Sequence, residues 1–472
     1  MADSKKELIK SIVLSIFDEE GPSPIVYWPE SLDETSSHLI AMKTISLLMG
    51  DAVYQDGENV DGINYFGILP FPDIGLNGLT YFFLISDERA RGQAKAATIT
   101  ILIDERNNSF FYSNMKYLRI LLDKTATNVQ TTLEFDKYSR YMDELREELN
   151  EFTSELKDPF FSNRKLKIIM AGLDKAGKSS FLKGVKKKYS EIIKILPTKG
   201  VDRTEEKLFE EQNSQISIWD LGGQKQYRDK YLENSKIYLY NVDLIFYLID
   251  IQDTKRMDHS LELFRDIINT LKQFDEYPPI VICFNKFDPD IKNSDKLIKI
   301  SEQATQEIKK YSDNFFIKVF HTSIFDHYSL ITAYSFGLSQ LSPNRELFLN
   351  QLRNLANRID AGALLLINDN GIILSNFSKI SDKVSDKVFE ISAPHFQTLY
   401  KTFKEFKLLK KDFIMSTGIT DDSKKIVFKK INVGKYNLYL LFFIESEFGM
   451  DKLDQFLPDF SLNLTELMKT YL

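Results

Sequence analysis

Residues 171–180 read AGLDKAGKSS, and they decide the fold. The apolar run Leu166-Lys167-Ile168-Ile169-Met170 precedes them, and Phe181-Leu182-Lys183 follows as the opening of a helix. Strand, glycine-bearing loop and helix thus succeed one another, with Gly172, Gly177, Lys178 and Ser179 in the spacing G-x-x-x-x-G-K-[ST]. Glycines let such a loop wrap so that its backbone N–H groups point inward at phosphate oxygens, backed by a helix N-terminus. The candidate phosphate-binding set is Gly172, Asp174, Lys175, Ala176, Gly177, Lys178, Ser179 and Ser180. Within it, Lys178 reaches the β- and γ-phosphates and the Ser179 hydroxyl binds Mg²⁺.

Four downstream stretches supply the remaining chemistry. In Ile216–Gln224 (ISIWDLGGQ), Asp220 ends a strand, where its carboxylate can hold Mg²⁺ opposite Ser179. Gly222 and Gly223 permit close backbone approach, so that an N–H can touch a γ-phosphate, and Gln224 can orient an attacking water. In Pro197-Thr198-Lys199-Gly200, a short segment of an otherwise featureless connection, Thr198 can give a hydroxyl to Mg²⁺ and an N–H to the γ-phosphate. Asn285-Lys286-Phe287-Asp288 follows the buried run Ile280–Phe284 and selects guanine. There Asp288 accepts from the ring N–H and exocyclic amine, while the Lys286 stem covers the ring face. Thr322-Ser323-Ile324 ends a further strand, where a backbone N–H can meet the guanine O6.

The whole chain bounds these readings. Its 472 residues imply two to four domains, and 43% hydrophobic with 27% charged residues is a globular composition. A net charge of −7 offers no basic field for nucleic acid. The single cysteine, Cys283, lies in an apolar run, which excludes disulfides and cysteine-ligated metals and fits a reducing, cytoplasmic compartment. No apolar run reaches the roughly 18 residues of a membrane span. Neither end carries a lipid-anchor motif, so any membrane association comes through partners.

On the N-terminal side, strands at about 9–17, 25–28, 63–69, 79–86 and 97–103 and helices at 37–49 and 110–128 make the order β-β-α-β-β-β-α. The charged stretch 136–157 reads as a solvated linker helix with a narrow stripe of Met142, Leu145, Leu149 and Phe152. On the C-terminal side a helix at 346–359 leads to strands 363–368 and 372–376, joined by the hairpin signal Asp369-Asn370-Gly371. A helix at 393–410, three strands and a helix from 449 complete nearly the same order. Neither flank offers a catalytic constellation. His38, His395 and the pair Lys410-Lys411 read as surface.

Residues 165–343 resemble a Ras-superfamily small GTPase. GLDKAGKS, PTKG and WDLGGQ are most similar to the Arf family, whereas His321-Thr322-Ser323-Ile324-Phe325-Asp326 and the helix into Arg353-Asn354-Leu355-Ala356 are similar to Rag GTPases. The ends resemble longin and roadblock domains by element order. The resemblance implies an α/β fold with a central P-loop GTPase domain, its sheet mainly parallel with helices on both faces, flanked by two α+β longin/roadblock-like domains. The boundaries are 1–132 longin-like, 133–164 charged helical linker, 165–345 GTPase and 346–472 roadblock-like. It implies a switch that hydrolyses GTP to GDP with Mg²⁺, with Gln224 catalytic, Ser179, Thr198 and Asp220 on the metal, and Gly223, Asn285, Lys286, Asp288, Ser323 and Ile324 on the nucleotide. No arginine stands in Lys194-Ile195-Leu196-Pro197 to act in cis, so intrinsic turnover of about 10⁻⁴–10⁻³ s⁻¹ is expected, rising with an activating protein. Implied partners are activating and exchange proteins, and longin/roadblock proteins or a second copy through residues 346–472. Pairing of the two end domains in cis is left open beside this. The alternative is a scaffold that binds nucleotide for structure and partners through its flanks.

Overall fold

The computed structural model describes residues 8–49, 65–87, 90, 93–132, 135–155, 166–192, 194–208, 216–380, 415–418, 425–444 and 448–471. The first hairpin joins β1 (Ile9–Asp18) to β2 (Gly21–Trp28), with Asp18 opposite Gly21. The sequence starts the second strand only at Ile25, but β2 runs through Pro22 and Pro24. It can do so because it is the sheet edge, where a missing N–H interrupts no ladder. After α1 (Glu34–Met49) come β3 (Tyr65–Phe71), β4 (Leu76–Ser86) and β5 (Ala94–Asp104), then α2 (Ser109–Gln130) and α3 (Phe135–Glu155). The sheet order is β2-β1-β5-β4-β3, antiparallel throughout.

Period-two alternation decides which helix meets which face. Ala97, Ile99, Ile101 and Ile103 of β5 share a core with Leu118 and Leu122 of α2. Thr98 points the other way and bonds the Thr44 hydroxyl of α1 at 3.0 Å. The stripe on α3 belongs to the first core: Tyr138, Met142, Leu145 and Leu149 are buried, and Phe152 packs on Tyr117 with ring centroids 4.2 Å apart. The expectation of a solvated helix fails at that stripe. Each such side chain gains about 1.5–3 kcal/mol from burial, enough to dock a helix whose other faces are charged.

The central sheet follows: β6 (Leu166–Ala171), α4 (Lys178–Val185), α5 (Tyr189–Ile192), β7 (Val201–Glu206), β8 (Ile216–Leu221), α6 (Lys225–Glu233), α7 (Ser235–Tyr238), β9 (Leu244–Asp250), α8 (Met257–Gln273), β10 (Ile280–Asn285), α9 (Asp295–Tyr311), β11 (Ile317–Thr322) and α10 (His327–Ser339). Its order is β11-β10-β9-β6-β8-β7, parallel except for β7. From β6 the chain goes first to one side and later, at β9, to the other. The carboxyl end of β6 is therefore the topological switch point where ligands of open α/β sheets bind. β7, in the connection read as featureless, is a polar edge strand (VDRTEE) and carries no apolar signal.

The C-terminal elements are α11 (Arg345–Arg358), β12 (Ala361–Asn368), β13 (Ile373–Ser378), β14 (Met415–Gly418), β15 (Lys425–Val433), β16 (Tyr436–Ile444) and α12 (Phe448–Met468), with sheet order β13-β12-β16-β15-β14. The β12–β13 turn has Gly371 at φ 81°, and the Asn368 side-chain oxygen accepts from the Asn370 and Ile372 N–H groups, each at 2.9 Å. The helix expected at 393–410, with His395, and the lysines 410 and 411 lie outside the described residues.

The chain divides into two compact units, one of residues 1–164, 342–366 and 374–472, the other of residues 165–341 and 367–373. Within the first, the open edge of β3 is closed by one buried side chain. Asn344 accepts from Ile68 N at 2.7 Å and donates to Ile68 O at 3.0 Å, as a neighbouring strand would. It also donates to Thr470 Oγ1 at 2.8 Å, and Thr470 Oγ1 donates to Ile68 O at 2.8 Å. A Cβ on Gly67 would lie 2.5 Å from Leu347 Cδ1 and 2.7 Å from Asn344 Oδ1, so only glycine permits this approach.

Candidate functional site

The loop after β6 is shaped by two glycines with positive φ. Gly172 (φ 136°) passes so close to β9 that a Cβ would lie 2.3 Å from Leu248 O. Gly177 (φ 91°) would likewise strike Asn285 Nδ2 at 2.4 Å. Lys175 also has positive φ (63°) and is exposed. Lys178 is buried, its ammonium donating to Gly172 O at 3.0 Å and Leu173 O at 2.9 Å. Burial pulls this amine down to about 8, against the opposing pull of Asp220 and Asp174. Its two carbonyl partners hold it over the hollow of the loop, where a phosphate oxygen would be a stronger acceptor.

Beside the loop three oxygen-bearing side chains converge. Ser179 Oγ donates to Asp220 Oδ2 at 2.5 Å, Thr198 Oγ1 lies 3.1 Å from Ser179 Oγ, and Thr198 Oγ1 reaches Asp220 Oδ2 at 3.4 Å. The other carboxylate oxygen, Asp220 Oδ1, is buried and has no partner. Burial raises the Asp220 carboxyl above its ordinary range despite the Ser179 hydrogen bond. A buried carboxylate with an idle oxygen, flanked by two hydroxyls, is an all-oxygen corner that fits a hard cation such as Mg²⁺. Among the described residues no group of three or more His, Cys, Asp or Glu could hold a metal.

The Thr198 and Asp220 segments are tied to each other. Gly222 N donates to Gly200 O at 2.8 Å, and the Tyr231 hydroxyl of α6 donates to the same oxygen at 2.6 Å. Gly223 lies against the loop itself: its carbonyl accepts from Asp174 N at 3.1 Å. Gln224, half-buried, stands at the N-cap position of α6 without a capping bond from its side chain, whose oxygen accepts from Gln226 at 3.2 Å.

The ends of β10 and β11 form the third part. Asn285 is buried and spans two segments, donating to Ala176 O at 2.8 Å and accepting from Thr322 Oγ1 at 3.1 Å. Both its amide atoms thus join the phosphate loop to the strand ends. Asp288 accepts from Ser323 Oγ at 2.5 Å and from Gln252 Nε2 at 3.1 Å. Lys286 has positive φ (60°) and pairs with Asp250 at 2.6 Å. Ile324 is half-buried, between Ser323 and its bridge partner Asp326.

Residues 167–394 match the family described as the Gtr1/RagA G protein conserved region. ADP-ribosylation factor F of Dictyostelium discoideum is 30% identical over 129 residues, covering 27% of this chain and 63% of that protein. Ras-related GTP-binding protein B of Rattus norvegicus is 22% identical over 197 residues, covering 42% of this chain and 50% of that protein. The central domain is similar to the G domains of Arf and Rag proteins. The chain spans less than two thirds of the length of either relative.

Three residues of this G domain escape a motif reading. Gln252 fixes Asp288, and also donates to Lys286 O at 2.7 Å. Asp250, at the end of β9, anchors the Lys286 ammonium. Arg256 donates to the Asp174 carboxylate at 2.9 Å and to Asp253 at 2.7 Å. All three lie at or just after the carboxyl end of β9, beside β6. Their signal in the sequence is the polar cluster Asp250-Ile251-Gln252-Asp253 closing an apolar strand.

Proposed function

We propose that the chain is a molecular switch that binds GTP with Mg²⁺, hydrolyses it to GDP, and acts through partner proteins that distinguish the two states. The observation that carries this reading is the convergence of Ser179, Thr198 and Asp220 around an idle buried carboxylate oxygen, in a G domain. Lys178 and the N–H groups from Gly172 to Ser180 bind the phosphates, and Ser179, Thr198 and Asp220 would hold Mg²⁺. When bound, Mg²⁺ neutralises charge on the β- and γ-phosphate oxygens. The N–H of Gly223 meets the γ-phosphate and Gln224 orients the attacking water. Asp288, held by Ser323 and Gln252, accepts the guanine N–H groups; Lys286 covers the ring, Ile324 faces O6, and Asn285 keeps the base and phosphate segments in register.

Switching follows from the ties around Gly200. Thr198 and Gly223 both face the γ-phosphate, and their segments are bonded through Gly222 and Gly200, so loss of that phosphate frees them together. Turnover is slow without an activating protein, and an exchange protein resets the site. The end domains, longin-like and roadblock-like, bind partners. Among the described residues no helix is long and apolar enough to cross a membrane, so a cytoplasmic protein reaches membranes through those partners.

Gln224→Leu should retain GTP binding and lose hydrolysis by about 100-fold or more, read by single-turnover phosphate release. Unchanged turnover would remove Gln224 from the mechanism. Asp288→Asn should shift preference from GTP toward xanthosine triphosphate, seen in competition binding. An unaltered chain that holds GTP without turnover, even with an activator, would make the nucleotide a structural ligand.

A further inference from the structure

We infer that Arg256 sets the charge of the phosphate loop and thereby its preference for a nucleoside triphosphate over a diphosphate, as a positioning residue; this rests on the functional reading above. Asp174 places a carboxylate inside a loop built for phosphates, an anion among anions. Its place in the loop locates that charge. Asp174 N donates to Gly223 O at 3.1 Å, and a Cβ on Gly223 would lie 2.1 Å from Asp174 N. On the functional reading Gly223 meets the γ-phosphate, and its main chain is the neighbour of Asp174, so the residue that carries the charge stands in the segment facing the terminal phosphate.

Arg256 offsets it. Nη1 donates to Asp174 Oδ1 at 2.9 Å and Nη2 to the Asp174 main-chain oxygen at 3.4 Å, while Nε is held by Asp253 Oδ2 at 2.7 Å. One planar group thus grips both the side chain and the backbone of the loop, and the turn that carries it aims it there. The Arg256 and Asp174 side chains are each 34% exposed, which leaves the pair partly screened and moderate in effect.

A charge role and a merely structural one predict different series. Arg256→Met leaves the loop one unit more negative, Asp174→Asn one unit more positive, and the double variant returns it to the starting charge. The full chain, stripped of nucleotide and supplied with Mg²⁺, is titrated with fluorescent GDP and a fluorescent β,γ-imido GTP analogue. The triphosphate-to-diphosphate affinity ratio should fall about tenfold in Arg256→Met and rise several-fold in Asp174→Asn. In the double variant it should return to within about threefold of the unaltered chain. A ratio that is the same in all four proteins, or as low in the double as in Arg256→Met, overturns the inference. Should Arg256→Met not fold, Asp174→Asn decides alone: a rise supports the charge role and an unchanged ratio overturns it. An unaltered chain that binds neither probe overturns the functional reading itself, and this inference with it.

Discussion

Two buried corners of this molecule treat their polar atoms in opposite ways. At Asn344 every atom is spent: the amide oxygen takes Ile68 N–H, and the amide nitrogen serves Ile68 O and Thr470. At Asp220 one oxygen is shared by two hydroxyls and the other is left buried without a partner, while Lys178 waits on two carbonyls. An unsatisfied buried polar group costs about 1–3 kcal/mol. Idle buried atoms occur elsewhere among the described residues, at Ser342 and Asn354 for example; what sets the Asp220 corner apart is a buried carboxylate flanked by two hydroxyls. The Asn344 corner is complete as it stands, and the Asp220 corner leaves an oxygen free for the cation of the proposed function.

The contrast is broken most directly at Asn344. Asn344→Leu keeps the branched shape and removes both amide partners, leaving Ile68 N–H buried and unpaired and Ile68 O to the Thr470 hydroxyl alone. Stability should drop by about 2–5 kcal/mol, read from urea unfolding. A loss below about 1 kcal/mol would show that β3 finds other partners. Next in size is a pH effect at the ligand site. Burial holds Lys178 at about 8, and nearby phosphates would raise it again, so binding above pH 8 takes up a proton. Nucleotide affinity should fall by up to about tenfold per pH unit above 8, whereas the same titration relieves the cost of a buried charge and favours the ligand-free fold between about 8 and 10.5. Parallel measurement of affinity and of melting temperature separates the two trends; if both fall together, global unfolding is the cause and not Lys178.

The smallest effect tests the idle oxygen. Asp220→Asn removes a charge that burial already disfavours, so ligand-free stability should hold steady or rise by about 1 kcal/mol at neutral pH. The sign follows from its raised pKa: the penalty is present at neutral pH and is relieved as pH falls toward the ordinary carboxylate range. A loss of several kcal/mol would mean that Asp220 is as structural as Asn344.

The two corners also differ in how far a sequence discloses them. Gly172, Lys178, Ser179 and Asp220 stand in spacings that a phosphate and a cation would impose under the proposed function, so such chemistry leaves a local imprint. Lys286 and Asp288 do the same for a base. Asn344 leaves none: it lies between Pro343 and Arg345 like any helix-start asparagine, and its partner Ile68 is 276 residues away. The one hint, Gly67 inside the apolar strand Tyr65–Phe71, marks a close approach without saying of what. Arg256, Gln252 and Asp250 fall in between. They follow a strand at the right place, but which loop each serves depends on the sheet order, and only the folded sheet sets β9 against β6. The stripe on α3 is legible in the sequence but its docking is not, because a largely charged helix needs few apolar side chains to dock.

The closing of β3 also has a timetable. Ile68 emerges early in synthesis, yet Thr470, which donates to its carbonyl, lies 402 residues later. At translation rates of about 5–20 residues per second, that carbonyl waits roughly 20–80 s for its last partner. Until Asn344 is made, 276 residues after Ile68, the edge of β3 has neither of its side-chain partners, while the central domain between them is synthesised. The first sheet is therefore among the earliest parts of the chain to be made and among the last to be finished.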